Sequence, residues 1–484
     1  MRPGGRTHTP PAPETGDDRG SGSPAVRRAT LVTATVTAFL TPFMGSAVNV
    51  ALPSIGRDLA MDAIDLGWVA TAFILAAAAS LVPFGRLADI HGRKRIFMWG
   101  IVLFTAASGL CALAASARFL ILARVIQGVG GAMIFGTGPA ILVSVFPAAQ
   151  RGRVLGFNVA AVYVGLSIGP FLGGLLTQHL GWRSIFLAML PLGCLIVYYI
   201  LRHMPFEWAD ARGEPFDTVG ALLYAAGLTA LMYGFSRLPD LRGAGFIAAG
   251  IAGLAVFTAW EARTVHPVLN IRIFRSNRAF AFSNLAALIN YSATFAVSFL
   301  LSLYLQYIQG FAPVQAGFIL VATPVIQTLL SPLAGRLSDR IAPGILASGG
   351  MAATVVSLVM FTRLDATTTL PYILTGLVIL GGGFAFFSSP NMNAIMSAVD
   401  RRQYGVASGI SGAMRLIGQM MSMGIAMIAF AMTMGCTRLS PDCYPLFLRA
   451  LTIIFAIMSV LCAAGVFASL ARGPRARTDA AAGP

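Results

Sequence analysis

An all-α polytopic membrane protein with fourteen transmembrane helices is the fold this sequence predicts, on three observations. The 484 residues are 57% hydrophobic and only 11% charged. A soluble domain carries about 25% charged residues, so the chain cannot cover a water-facing surface of its size. Fourteen apolar stretches approach the roughly 20 residues that a spanning helix needs. Their centres lie near residues 42, 77, 106, 132, 165, 192, 227, 253, 293, 325, 354, 381, 418 and 459. Third, basic residues gather in alternate loops, which is how inserted chains mark their cytoplasmic side.

The order along the chain follows. Residues 1–28, rich in Pro, Gly, Arg and Asp with no apolar run, predict a disordered cytoplasmic tail; they are too long and polar for the n-region of a cleavable signal. Residues 29–203 hold six spans, 204–265 a two-span insert, 266–471 six more spans, and 472–484 a second cytoplasmic tail. Two halves are suggested by an internal echo, "GRLADIHGRKR" (Gly85–Arg95) after the second span and "GRLSDRIAP" (Gly335–Pro343) after the tenth, since many transporters are built from structural repeats. Loops on the terminal side, with the segments flanking the first and last spans, carry 21 basic residues. The opposite loops carry 8, so both termini are cytoplasmic.

Composition excludes several classes. The net charge of +16 invites nucleic acid, but its confinement to short loops argues for membrane orientation instead. Lys94 is the one lysine among 34 basic residues. No phosphate-binding loop and no metal-spaced cluster occurs, and His8, His91, His179, His203 and His266 are scattered. No metal, cofactor or catalytic residue is therefore expected. Cys111, Cys194 and Cys462 fall in apolar spans as small hydrophobes. Cys436 and Cys443 flank an outer loop where a bridge can form.

In the Gly85–Arg95 loop, Gly85 and Gly92 permit close approach and a tight turn. Asp89 ends the second helix, within reach of a helix N-terminus or of Arg93, Lys94 and Arg95; Asp339 is its echo. Such a cluster can hold a cytoplasmic gate. A generic positive-inside loop is the blander reading. Gly165, Gly169 and Gly173 recur every four residues, with Gly174 beside them and Pro170 adding a bend, and so offer a face for close helix packing.

Two arginines lie within the membrane. Arg124 is roughly 9 Å deep and Arg415 roughly 16 Å deep at 1.5 Å per residue. Intramembrane charge is rare and usually faces a protein or water-filled interior. Ser408, Ser411, Arg415, Gln419 and Ser422 share one face of the thirteenth span. Asn290, Thr294, Ser298, Ser302 and Gln306 share one of the ninth, and Thr37, Thr41, Gly45 and Asn49 one of the first. These stripes are either cavity walls or helix-to-helix hydrogen bonds.

The Gly85–Arg95 loop resembles the loop signature of the major facilitator superfamily. "LILARVIQGVGGA" (Leu120–Ala132), with Arg124, Gln127 and Gly128, is similar to the fourth-span motif of its fourteen-span multidrug-exporter (drug:proton antiporter) branch, and "GLSIGPFLGG" (Gly165–Gly174) to the exporters' fifth-span motif. "VNVALPSI" (Val48–Ile55) and "ASGISGAMRLIG" (Ala407–Gly418) resemble its first and thirteenth spans, so about residues 30–470 are covered. The resemblance implies a secondary active transporter that exports drug-like molecules or metabolites across the cytoplasmic membrane by alternating access, as a monomer. Its partners are a small molecule, the bilayer and, in coupled members, protons.

One departure stands out. Proton-coupled members carry an Asp five positions before Asn49, and here that residue is Met44. All eighteen acidic residues lie in tails, loops or helix ends. A cation-selective pump is thereby disfavoured, and Arg124 and Arg415 can attract an anionic or zwitterionic substrate. Proton antiport through Asp65, Asp89, His91 or the substrate stays open, as does a facilitator or other exchange mode. The rivals are a lipid or lipid-conjugate exporter and a non-transporting sensor or scaffold.

Overall fold

The computed structural model describes residues 23–472 apart from 239, 270, 272, 275, 276, 400–403 and 434–440, and apart from the side chains at 148, 149, 151, 152, 339, 404 and 405. Among these residues there is no strand. Fourteen helices are long and apolar enough to cross a membrane, as the hydropathy predicts. They are α1 (Pro24–Asp58), α2 (Ala63–His91), α3 (Arg93–Ala112), α4 (Ala117–Val145), α5 (Arg153–Leu180), α6 (Arg183–His203), α7 (Thr218–Arg237), α8 (Leu241–Glu261), α9 (Arg278–Ile308), α10 (Pro313–Ser338), α11 (Pro343–Phe361), α12 (Leu370–Ser397), α13 (Val406–Thr433) and α14 (Pro441–Leu470).

Polar residues at the water-facing ends set several helix starts. Asp62, Ser116, Asp217 and Asn277 each accept an amide hydrogen from the first turn that follows, at 2.7, 3.4, 2.8 and 2.9 Å, which satisfies otherwise orphaned donors. Ser23 does the same for Val26 at 3.3 Å, and Pro24 occupies the first helical position. The first helix therefore begins at Pro24, before the boundary expected after Arg28, because Ser23–Pro24 is a better helix start than the charge pattern indicates. Most of the two expected tails, residues 1–22 and 473–484, and Cys436 lie outside the described residues. Cys443 is disulfide-bonded, whereas Cys111, Cys194 and Cys462 are free.

Three spans are broken. α6 breaks at Ala188 and α10 at Val321, each three residues ahead of a proline (Pro191 and Pro324) that cannot donate to the helix ladder. α9 breaks at Phe295 with no proline nearby. There the Ala296 amide donates to Ser422 Oγ of α13 at 3.0 Å, a side-chain insertion of the kind that kinks helices. α9 then ends in a π-helical turn, Tyr304–Ile308.

The insert helices α7 and α8 pack closely on each other: a Cβ at Gly250 would lie 2.6 Å from Leu231 N, and one at Gly234 would lie 2.7 Å from Ile247 N. α7 contacts both the helices before the pair, α1–α6, and those after it, α9–α14, hereafter the two halves. Tyr224 OH donates to Ala78 O of α2 at 3.1 Å, and Gly424 of α13 faces the Phe235 ring. Outward-facing Leu122, Leu329 and Val460 are largely bare, as suits a surface solvated by lipid tails.

Candidate functional site

The two halves are tied together at their outer ends. Ser302 Oγ donates to Asn49 O at 2.8 Å, Gln306 Nε2 to Val50 O at 2.9 Å, and Tyr307 OH to Pro53 O at 3.3 Å, all from α9 to α1. Beside them α5 and α10 meet backbone to backbone. A Cβ at Gly174 would lie 2.5 Å from Pro313 O, and one at Gly317 would strike Pro170 O. Toward the basic ends the picture reverses. A Cβ on Gly85 or Gly335 would meet nothing within 4 Å. The Gly85 backbone does lie near α4, its Cα 3.8 Å from where a Cβ on Gly136 would sit, but its own Cβ direction is unfilled in this conformation. Among the described residues, the side-chain hydrogen bond between the halves nearest the inner side is Tyr163 OH to Ser388 Oγ, 3.4 Å.

That bond borders a central cluster drawn from both halves. The Arg415 guanidinium of α13 lies 5.5 Å from the Phe135 ring centroid of α4, and the Tyr291 hydroxyl of α9 sits beside it. Tyr291 stacks edge-on with Phe384 of α12, with centroids 5.4 Å apart. α13 can come this close to α9 because Gly418 lies against Leu288 O, where a Cβ would be 2.6 Å away. Arg415 is half-buried, and among the described residues no carboxylate pairs with it. A half-buried cation over an aromatic face, with a hydroxyl alongside, can hold an anion or a planar π-system.

The polar stripes divide along their length. Gln419 is half-buried and Ser298 exposed, so these can face the space between helices. Thr41, Asn49, Thr294, Ser411 and Asn290 are buried. Thr41 and Thr294 bond back to their own helix at Thr37 O and Asn290 O. The outer members Ser302, Gln306 and Ser422 make helix-to-helix bonds, which was the alternative reading of the stripes. Asn290 is fully buried with neither amide atom partnered, and its neighbour Tyr291 makes the central contact instead. Tyr291, Phe135, Tyr163 and Ser388 were missed because aromatic residues on an apolar helix read as core. Only Tyr291, next to Asn290 on α9, carries a sequence signal; Phe135, Tyr163 and Ser388 lie on other helices.

Arg124 belongs to a different arrangement. It is 1% exposed; Nε donates to Val69 O at 3.0 Å, and Nη1 donates to Gln127 Oε1. Gln127 Nε2 passes the chain to Ser108 Oγ at 2.7 Å, and Ser108 donates to Phe104 O at 2.7 Å. The Phe73 ring centroid lies 4.5 Å from the guanidinium. Arg124 thus ties α4 to α2 and α3 within one half, and Gly128 packs against the α2 backbone at Phe73. In α5, Gly165, Gly169 and Gly173 all press on α1, at Phe39, Ser46 and Ala47. The contact between halves falls instead on Gly174 and Pro170.

At the inner end Gly92 makes the expected turn, with φ +116°. Asp89 Oδ1 accepts Arg93 Nε at 2.9 Å and Nη2 at 2.7 Å. The helix N-terminus expected within reach of Asp89 is taken by Glu207, which accepts the Lys94 and Arg95 amides at 2.8 and 3.1 Å. Glu207 begins a strap running from the first half to the insert. Arg93 N donates to Trp208 O at 2.8 Å and Ala211 N to Asp89 O at 2.9 Å. Asp210 pairs with Arg93 at 2.8 Å, and Glu214 bridges Arg86 and His266 at 2.5 and 2.9 Å. The acid-rich run 207–217, lying between basic loops, was the overlooked signal. The side chain of Asp339 lies outside the described residues.

A model of the Major Facilitator Superfamily matches residues 34–423 and 283–482. The chain belongs to that superfamily. The riboflavin transporter RibZ of Clostridioides difficile is 31% identical over 380 residues, covering 78% of this chain and 82% of RibZ. The multidrug resistance protein Stp of Mycobacterium tuberculosis is 32% identical over 378 residues, covering 77% and 70%. A solved structure of the nucleoside transporter NupG superposes with a TM-score of 0.62 over 92% of this chain and all of that one; at 14% identity it speaks to the fold alone. This superfamily member is thus a multi-pass membrane transporter of the fourteen-helix kind and not an enzyme.

Proposed function

We propose that the chain exports small anionic or zwitterionic molecules with aromatic surface across the cytoplasmic membrane by alternating access, binding them at the Arg415 cluster. The carrying observation is the Arg415 guanidinium over Phe135, 5.5 Å away, shared between the halves with no acid among the described residues to neutralise it. A site divided between two halves is one that rocking can expose to either side in turn. The export direction draws on relatives named as a multidrug resistance protein and a tetracenomycin C resistance and export protein.

Energy does not come through a first-span carboxylate in this reading, because Met44 is fully buried at that position and Asp89 is engaged by Arg93. The test is efflux from vesicles of matched aromatic anions and cations, with and without a protonophore, for the natural chain and Arg415→Ala. Preference for the anion that disappears with Arg415 supports the proposal; equal anion transport by the variant refutes it. Collapse of efflux with the protonophore would assign proton antiport through another group.

A second reading has one specific support. An apolar groove of about 560 Å³ lies between α1 and α5, bordered by Val32, Phe39, Phe157 and Val164. A lipid conjugate could enter the carrier there, and export of an acylated substrate blocked by Ala160→Trp would favour it.

A further inference from the structure

Arg472, counted from sequence as the first residue of a solvated tail, is 7% exposed. Its Nε, Nη1 and Nη2 all lack a hydrogen-bond partner. It packs at the inner end of the second half, with Cδ 3.8 Å from where a Cβ on Gly344 would sit. Gly344 is in the first turn of α11, a 19-residue helix whose N-cap, Ala342, offers no side-chain acceptor and whose first turn holds no acid. Ser469 Oγ donates to Gly344 O at 3.5 Å, which joins the end of α14 to the same turn.

The electrostatics of this corner are unbalanced. A helix N-terminus carries about half a positive charge, and a fully charged guanidinium lies against it. Among the described residues no carboxylate answers either one. A buried, unpaired charge is strongly disfavoured, and five guanidinium donors in a fixed fork suit the oxygens of a phosphate. The corner lies on the basic face, where the cytoplasmic leaflet presents anionic headgroups.

We propose that Arg472 and the first turn of α11 form a phosphate-binding site at the cytoplasmic end of α11 and α14, occupied by an anionic phospholipid headgroup or by free phosphate. The site is separate from the Arg415 cluster and does not depend on what is transported.

The test uses the full chain in nanodiscs of phosphatidylcholine, or of phosphatidylcholine with phosphatidylglycerol, with inorganic phosphate added to the former as a third arm. Native mass spectrometry reads retained phosphatidylglycerol, and thermal unfolding reads stabilisation. The expected result is selective retention of phosphatidylglycerol by the natural chain, a higher Tm with that lipid, at least tenfold weaker retention by Arg472→Gln, and partial rescue by Arg472→Lys. A Tm raised by inorganic phosphate alone would support the site with free phosphate as its occupant. Undiminished phosphatidylglycerol retention by Arg472→Gln overturns the proposal. Should that variant not fold, the natural chain decides: no response to either lipid or phosphate overturns the proposal equally.

Discussion

Arg415 of α13 and Phe135 of α4 face each other across the two halves, 5.5 Å from guanidinium carbon to ring centroid. The contact joins residues 280 positions apart in a chain whose other intramembrane arginine, Arg124, satisfies its donors inside one half. One arginine is spent on structure and the other is left available, so the two substitutions should behave differently.

For Arg415 the expected effect is on transport. Arg415→Ala should lower efflux of an aromatic anion at least tenfold, about 1.4 kcal/mol or more of lost binding, and leave thermal stability little changed. Arg415→Lys should fall between, since a lysine keeps the charge but loses the planar face that stacks on an aromatic ring. Vesicle flux measured beside Tm checks both; a drop in Tm as large as that of a folding mutant would assign Arg415 to structure.

The outer closure rests on bare backbone contact. Gly317→Ala would drive a methyl group into Pro170 O, and Gly174→Val would do the same at Pro313. Overpacking of this kind costs about 1–3 kcal/mol, and here the cost falls on the outer-closed conformation alone. A cysteine placed at Val314 should become more reactive to an impermeant maleimide in Gly317→Ala. Unchanged labelling would mean that the α5–α10 contact is not what holds the outside shut.

Gly85 makes the opposite case. A Cβ there meets nothing, and glycine inside a helix costs about 0.5–1 kcal/mol relative to alanine, so Gly85→Ala should leave Tm equal or slightly raised. If the glycine serves a close approach made only when the inner ends of the halves come together, transport should fall in the same variant. Normal flux would assign Gly85 no role in the cycle.

The strap over the gate predicts a pH dependence. The Arg86 guanidinium, and then His266, hold the Glu214 carboxyl below its ordinary value of 4.5. A carboxyl depressed in the folded state stabilises above its unfolded pKa and loses that contribution as pH falls through its folded pKa, so the strap should loosen only below about pH 4.5. Hydrogen exchange across residues 207–217 should rise in that acid range in the natural chain. Glu214→Gln should show the raised exchange already at neutral pH, without the acid step.

The helices were legible in the sequence because lipid imposes a simple requirement: spans must be apolar and about 20 residues long, and all fourteen are where hydropathy put them. That Arg415 falls inside the thirteenth span was legible from hydropathy. What met Arg415 was not. Phe135, Tyr163 and Tyr291 come from three other helices, and no periodicity within one helix reports the register between two. The polar stripes show the same limit, since Ser302 and Gln306 look like cavity residues until α1 is seen bonded to them. The strap's acids are plain in the sequence, but their contacts are not: Glu207 caps a helix more than a hundred residues earlier, and only the chain's path brings it there.

Gln127 provides the control for the Arg124 network. It accepts from Arg124 and donates to Ser108, so Gln127→Leu strands a buried guanidinium donor. A stranded buried group costs about 1–3 kcal/mol, and more when charged. Gln127→Glu supplies a carboxylate at the same place, keeps the bond from Arg124 and neutralises its charge, so it should retain most of the stability that Gln127→Leu loses. Because the network lies within one half, away from the Phe135–Arg415 gap, the KM of any transported anion should be the same in natural chain and variants once corrected for folded protein. A KM that rises in Gln127→Leu at constant folded amount would move Arg124 into the binding site.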